Sequence, residues 1–440
     1  MKKSIAIVGG GILGMTISHH LALKGCNVTL IESGSALGGL ASAWELNGIT
    51  WDKFYHVISA SDSYLLSLLK ELNLEAEISW SETKTGFFTD GKLHSMSNTL
   101  EFIKFPPLDI INKLRLGLTI FRTSHLKNWR KLEQISVREW LLKWSGKKTF
   151  EKIWLPLLKS KLGESYRATS AAFIWATIQR MYRARHSSKK KEMFGYVNGG
   201  YSVILNRLQR LLEEENVKMC TNFIVKSVED QNNGKIRIIS QDTREVTSNS
   251  VILTIPSPFA SNVCDQLSFE EKNKLNATKY LGVICVSILI KKPLSRYYVI
   301  NITDQGFPFT GIIEMSALVD KKYFERNSLV YLPKYLDSDD PLFSQSDDRI
   351  KEDFIAGLRR VHPQLSADDI LCSKVARAKY VFVLPTLNYS ENLPPVSTTV
   401  PGVFILNSAN IVNGTLNVNE TIGLVHNKLN EIINSAKFNK

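Results

Sequence analysis

The sequence predicts an α/β fold in which an N-terminal strand–helix–strand unit is joined to a basic helical region and a β-rich region. Three stretches predict it. The first fifty residues pass from strand through a glycine-rich turn to helix and strand again, residues 104–191 read as helical, and residues 281–383 hold five β-rich runs. At 440 residues the chain exceeds one simple core and fits two or three joined domains. A composition of 44% hydrophobic and 22% charged residues excludes a disordered or an integral membrane protein. The apolar run Leu281 to Ile290 is half of what a bilayer crossing needs.

In the N-terminal unit Ser4 to Val8 is a short buried strand, Gly9-x-Gly11-x-x-Gly14 leads into the apolar-periodic helix Ile12 to Leu23, and Asn27 to Ile31 is a strand ending on Glu32. Gly9 permits the tight turn, Gly11 lets the backbone approach a pyrophosphate, and Gly14 lets helix and strand pack closely. The phosphates then meet the free N–H groups of the helix start, at Ile12 and Leu13. Glu32, followed by Ser33, lies eighteen residues past Gly14 and is placed to accept hydrogen bonds from ribose hydroxyls; its charge disfavours a 2′-phosphate. The competing reading is a glycine-rich turn with no ligand. Six positions beyond Glu32 comes Gly38-Gly39-Leu40-Ala41-Ser42. A second glycine pair lets the chain pass close to a cofactor's diphosphate and ribityl arm, which a plain NAD domain does not need. The dinucleotide is therefore expected to be FAD.

On the glycine fingerprint, the terminal acid and the Gly38-Gly39 segment, the chain resembles the flavin amine oxidase superfamily: amine oxidases, protoporphyrinogen oxidases, phytoene desaturases and, more distantly, UDP-galactopyranose mutases. It departs at Leu40, where the superfamily has Arg, so any flavin contact of that Arg is absent or supplied elsewhere. The resemblance implies a discontinuous Rossmann-type FAD-binding domain built from 1–78, 195–265 and 396–440. It assigns 79–194 to a substrate-domain hairpin and the inserted basic helical region, and 266–395 to the β-rich substrate domain.

Along the chain, Gly48 to Val57 is a strand leading to a turn at Ser59 to Asp62. The resemblance brings this stretch alongside the isoalloxazine ring and makes His56 the candidate catalytic residue; the alternative is a structural His hydrogen-bonded at a strand end. Ser63 to Leu72 is a helix, and Thr85 to Ser95 a hairpin turned by Asp90-Gly91. Pro106-Pro107 opens the helical region. There Ile110, Ile111, Leu114, Leu118 and Phe121 form a stripe expected to pack on a core, while Leu116 and Ile120 leave room for the monotopic membrane contact that the resemblance to protoporphyrinogen oxidases implies. Trp129, Trp140, Trp144, Trp154 and Trp175 are expected mostly in the core, and Lys189 to Lys191 at an exposed end.

Gly199-Gly200-Tyr201 and the helix Val203 to Leu212 resemble the segment that returns to the FAD domain. Val217 to Val228 is read as a strand, on which the resemblance makes Phe223, Ile224 and Val225 the adenine clamp. The hairpin Ile236 to Val246 leads to the strand Val251 to Pro256, with Thr254 and Pro256 at the cofactor. Leu281 to Ile290, Tyr297 to Ile302, Thr310 to Met315, Leu329 to Tyr335 and Ala376 to Val383 make a mostly antiparallel sheet, with a helix over Asp348 to Arg360. Gly402 to Asn407 is a strand, and Gly414 to Glu420 enters a last helix, Thr421 to Ala436, where Asn417 and Glu420 have capping-box spacing. The resemblance sets Thr415, Asn417 and Val418 at the flavin pyrimidine and ribityl chain, where a positive helix end suits the charge of reduced flavin. With no Cys in that segment, FAD is expected to be non-covalent.

The net charge of +13 is unevenly spread: residues 104–191 hold 21 Lys and Arg against 5 Asp and Glu. No nucleic-acid motif accompanies this charge, so nucleic acid is not expected as a partner; a solvated helical face, an anionic membrane surface and an acidic partner stay open. Lys2-Lys3 before an apolar run mimics a signal peptide, but the fingerprint glycines occupy that run. The expectation is a cytoplasmic protein, with peripheral membrane contact open. Five scattered cysteines without a C-x-x-C pair argue against a metal site. The implied activity is hydride abstraction from a C–H bond of a small molecule, a C–N or C–C oxidation, with electrons passed to oxygen or another acceptor. The Tyr280 to Lys292 strand and the Pro308 to Glu314 turn resemble the protoporphyrinogen-oxidase-like subgroup. Amine oxidases carry a Lys on that strand where Val283 or Ile284 stands here, so no catalytic base is named. A mutase-like flavoenzyme without net redox change and a non-catalytic FAD-binding protein are the alternatives, and the oligomeric state is left open.

Overall fold

A computed structural model describes residues 3–97, 99–185, 193–412 and 415–435. Its organising layer is a five-stranded parallel sheet in the order Lys218–Cys220, Asn27–Ile31, Ser4–Val8, Ser250–Leu253, Val403–Ile405. Both faces are covered, which explains why Ile5 to Val8 is apolar without interruption. Ile5 and Ile7 pack with Met15, Ile17, Leu208 and Val425 of the helices Ile12–Leu23, Tyr201–Glu214 and Val418–Ser435. Ala6 and Val8 point the other way, into Phe223, Val228 and Ile238.

A seven-stranded sheet forms the second layer, in the order Ile370–Val383, Tyr280–Ile290, Ser328–Asp337, Gly311–Glu314, Val299–Ile302, Thr85–Thr89, Lys92–Ser95. It is antiparallel except where Val299–Ile302 pairs in parallel with Thr85–Thr89, so the early hairpin forms its edge. Tyr280–Ile290 is buried at every position. Ile284, Val286 and Ile288 face the helix Asp347–Val361 through Phe354 and Leu358, while Cys285 and Leu289 face Trp51, Tyr331 and Phe324.

Besides the strand read over Gly48 to Val57, which spans only Ile49–Asp52, three readings of the sequence change. The strand expected over Val217 to Val228 is broken by Asn222, whose φ of 51° is left-handed. Lys218–Cys220 ends the parallel sheet, and Val225–Asp230 starts a separate antiparallel one with Ile236–Ser240 and Glu245–Ser248. A small sheet of Ile58–Ser59, Met193–Val197 and Ile78–Glu82 was not foreseen, because its strands are short and distant in sequence.

The apolar stripe is the third. On the helix Ile110–His125 it does not pack on the core: Ile110, Ile111, Leu114, Leu118 and Phe121 are 58% to 67% or more exposed, Ile110 reaching 68%. Leu116, Thr119 and Thr123 face inward instead. The small hydroxyl side chains of Thr119 and Thr123 let the helix lie close, and Trp154 Nε1 donates to Ser145 Oγ at 2.9 Å, which donates to Thr119 Oγ1 at 3.2 Å. Trp140, Trp154 and Trp175 are buried and Trp129 and Trp144 half-buried. Lys189 to Lys191 lie outside the described residues. Among the described residues no helix is long and apolar enough to cross a membrane.

Candidate active site

The three fingerprint glycines have different duties. Gly9 has φ 114°, and a Cβ on it would stand 2.4 Å from Thr254 Oγ1. That hydroxyl donates to the carbonyls of Val8 and Gly9 at 2.9 and 3.1 Å, fastening the turn. A Cβ on Gly14 would fall 1.9 Å from the Gly9 carbonyl oxygen. A Cβ on Gly11 would meet only the Gly39 Cα, at 4.0 Å. Gly11 thus leaves open space before the start of the helix, where Ile12 and Leu13 follow. The helix has no side-chain cap and no acid in its first turn, so its positive end is uncompensated by its own residues.

Gly38-Gly39 lies against this turn. The Gly38 N–H donates to the Gly10 carbonyl at 2.8 Å, Gly11 and Gly38 form a parallel bridge, and a Cβ on Gly39 would stand 3.2 Å from the Gly11 Cα. Two glycine segments read separately in the sequence form one backbone seam. Ala41 is buried and Leu40 is 37% exposed.

Glu32 closes one end. Its carboxylate accepts from the Gly10 N–H at 2.7 Å, the Gly34 N–H at 2.7 Å and Ser33 Oγ at 3.1 Å. The Phe223 N–H donates to the Glu32 carbonyl at 2.9 Å, which seats Phe223 to Val225 beside the acid. Phe223 is buried and Ile224 is exposed. Pro256 opens the helix Ser257–Val263. The last helix runs Val418–Ser435, and Asn417 caps it by accepting from the Glu420 N–H at 3.0 Å while its Nδ2 donates to the Thr415 carbonyl at 2.7 Å. Gly414 is outside the described residues. Asn419 Oδ1 accepts from the N–H groups of Tyr64 and Leu65, tying this helix to Ser63–Glu71.

His56 lies where the parallel-sheet unit meets the second sheet. Asp52 is 2% exposed, and its Oδ1 accepts from the Tyr201 N–H at 2.9 Å, just past Gly199-Gly200. Its Oδ2 is 3.5 Å from His56 Nδ1, long for a hydrogen bond but within ion-pair reach of an imidazolium. His56 Nδ1 is buried with no hydrogen-bond partner, so the strand-end strut lacks the bond that would define it. The His56 and Tyr201 rings are 4.7 Å apart.

Five residues around His56 were not singled out from the sequence: Asp52, Tyr55, Tyr331, Tyr335 and Lys161. Tyr331 Oη donates to the Asp52 carbonyl at 2.5 Å, and Tyr55 Oη and Tyr335 Oη share a hydrogen bond of 2.8 Å. Burial pushes the Tyr55 and Tyr331 phenols well up, which keeps them neutral. Val283 and Ile284 are buried, and Val283 pairs with Tyr335 across the ladder. Lys161 Nζ lies 3.6 Å from the centroid of the Tyr335 ring. A lysine charge thus reaches this part of the sheet from the helix Leu155–Leu162, not from the strand. Partners some 280 positions apart leave no local pattern to read.

Residues 14–415 match the family model of flavin-containing amine oxidoreductases. The chain is 23% identical over 322 residues to protoporphyrinogen oxidase 1 of Arabidopsis thaliana chloroplasts, covering 66% of this chain and 59% of that one. The matched stretches span less than two thirds of the length of the curated relatives. Wild-type putrescine oxidase solved with putrescine aligns at a TM-score of 0.75 and 17% identity, over 99% of both chains. An oxidoreductase from Methanosarcina mazei aligns at 0.75 and 15% identity, over 97% of this chain and 100% of that one. At these identities the structural likeness establishes the fold, while the family match carries membership: this chain belongs to the flavin-containing amine oxidoreductase family.

Proposed function

We propose that the chain binds FAD without a covalent bond and oxidises a small molecule at a C–N or C–C bond, in the manner of the protoporphyrinogen-oxidase-like members of its family. The observation that carries this reading is the seam of Gly10-Gly11 against Gly38-Gly39, open in front of a helix N-terminus. It fits a dinucleotide diphosphate with a ribityl arm, since the space in front of Gly11 is open apart from the Gly39 Cα at 4.0 Å and lies at a helix N-terminus. Bound FAD supplies a two-electron acceptor for hydride from a substrate C–H bond, and oxygen or another acceptor reoxidises it. The chain's own residues bind and orient. Gly9, Gly11, Ile12, Leu13 and Gly14 would receive the phosphates, Glu32 with Ser33 the ribose, and Phe223 to Val225 the adenine. Thr254 and Pro256 border the turn, and Thr415, Asn417 and Val418 offer a positive helix end to the flavin pyrimidine.

On the substrate side, Asp52 is fixed by the Tyr201 N–H and stands 3.5 Å from His56 Nδ1, which places the imidazole as the candidate group for proton transfer. Tyr55 and Tyr335 present a pair of hydrogen-bonded hydroxyls, and Lys161 lies over the Tyr335 ring. Release of FAD from the denatured yellow protein, identified by mass spectrometry, tests the cofactor. Anaerobic bleaching of the flavin by an oxidisable substrate tests the redox reading. Release of NADP or of no nucleotide refutes the first, and anaerobic turnover with no net redox change refutes the second in favour of mutase chemistry.

A further inference from the structure

His56 does not hold its own ring in place. Its Nδ1 is buried without a hydrogen-bond partner, Asp52 Oδ2 stops 3.5 Å from it, and its ring meets that of Tyr201 at 4.7 Å. It lies between the strands Ile49–Asp52 and Ile58–Ser59 and belongs to neither, so no strand ladder holds it. We propose that Tyr331 and Tyr335 are positioning residues that clamp the Asp52–His56 stretch and so set the imidazole, an inference that rests on the reading of His56 as the proton-transfer group.

Both tyrosines belong to Ser328–Asp337, an inner strand of the seven-stranded sheet, paired on both sides. Four residues apart, they point to the same face and stand about 13 Å from each other along the strand. Pro333 lies between them with φ fixed by its ring, and its carbonyl accepts from the Thr310 N–H at 2.8 Å and from Thr310 Oγ1 at 2.9 Å, so their spacing is rigid. Tyr331 Oη donates to the Asp52 carbonyl and holds the start of the stretch. Tyr335 Oη shares its 2.8 Å hydrogen bond with Tyr55 Oη and holds the residue before His56. Tyr331 is fully buried in a cluster with Cys285, Leu289 and Phe324, where phenylalanine would fill the same space. Its hydroxyl therefore serves the loop and not the packing. The Asp52 carboxylate is fixed from the other unit, by the Tyr201 N–H at 2.9 Å. His56 is thus located against the parallel-sheet unit and the second sheet at once.

The test is carbethoxylation of the FAD-loaded protein by diethyl pyrocarbonate at one fixed pH, followed histidine by histidine with peptide mass spectrometry. Tyr331→Phe and Tyr335→Phe are each expected to raise the rate at His56 by about two- to tenfold, the gain in open population that one lost hydrogen bond gives. His19 and His362, buried on other elements, should keep their rates, and FAD content should not change. Tyr55→Phe removes the same hydrogen bond as Tyr335→Phe, so the two together should leave His56 no more reactive than either alone. This pair also carries the test should Tyr331→Phe fail to fold. A His56 rate that none of the variants changes overturns the proposal. So does an equal rise at His19 and His362, which would make the tyrosines supports of overall stability. The footprint reports where His56 sits, whereas His56→Ala reports whether it acts, so the two readings fail separately.

Discussion

Replacing Gly11 by alanine separates the requirements of the fold from those of the cofactor. Gly11 has φ −71° and ψ 179°, an extended conformation that alanine adopts without strain. The added methyl would meet only the Gly39 Cα at 4.0 Å, an ordinary contact. The apoprotein should therefore be as stable as wild type, or gain about 0.4 to 1 kcal/mol from the stiffer unfolded chain. The same methyl stands where the diphosphate must approach the backbone. Overpacking of that kind costs about 1 to 3 kcal/mol, or between about five- and 150-fold in FAD affinity. Thermal unfolding of apoprotein and fluorescence titration with FAD measure the two effects separately. Gly14→Ala is the contrasting variant: its methyl would lie 1.9 Å from the Gly9 carbonyl oxygen, a backbone atom that also accepts from Thr254, so the apoprotein itself should be destabilised. Wild-type FAD affinity in Gly11→Ala, or equal unfolding temperatures for the Gly14→Ala and wild-type apoproteins, would refute this account of the turn.

Glu32→Ala removes a charged acceptor from ribose and from the Gly10 and Gly34 N–H groups; a charged hydrogen bond is worth about 1.5 to 3 kcal/mol. FAD should be retained about ten- to a hundredfold less tightly, and an unchanged dissociation constant would show that the acid is not at the ribose. His56→Ala should slow flavin reduction by about 10², with FAD content and melting temperature preserved. Loss of flavin or stability in proportion to activity would make His56 a strut. Burial alone pushes the His362 imidazole down to about 4 from 6.5. The unfolded chain then binds a proton before the folded one, so stability is full above about pH 6.5 and falls by up to about 3 kcal/mol as pH drops through the folded value. Urea unfolding between those limits should show this slope flattened in His362→Phe, and an unaltered slope would assign the acid sensitivity elsewhere.

The N-terminal unit was legible from sequence because its constraints are local. Strand, turn, helix and acid follow one another within thirty residues, and Gly14 answers to a backbone contact with a near neighbour, the Gly9 carbonyl. The strand Tyr280–Ile290 and the helix Asp347–Val361 were likewise carried by their own periodicity. Tertiary structure alone decided what depends on distant partners. It laid Gly38 against Gly11, joined the Thr85–Thr89 edge to Val299–Ile302, and brought Tyr335 and Lys161 to the Tyr55–His56 loop. It also reversed the helix Ile110–His125. Periodicity marks an apolar side but not which side finds a neighbour, and here the side of Leu116 takes the interior because Thr119 and Thr123 beside it, small and hydrogen-bonding, admit a closer packing than the stripe of Ile, Leu and Phe opposite them.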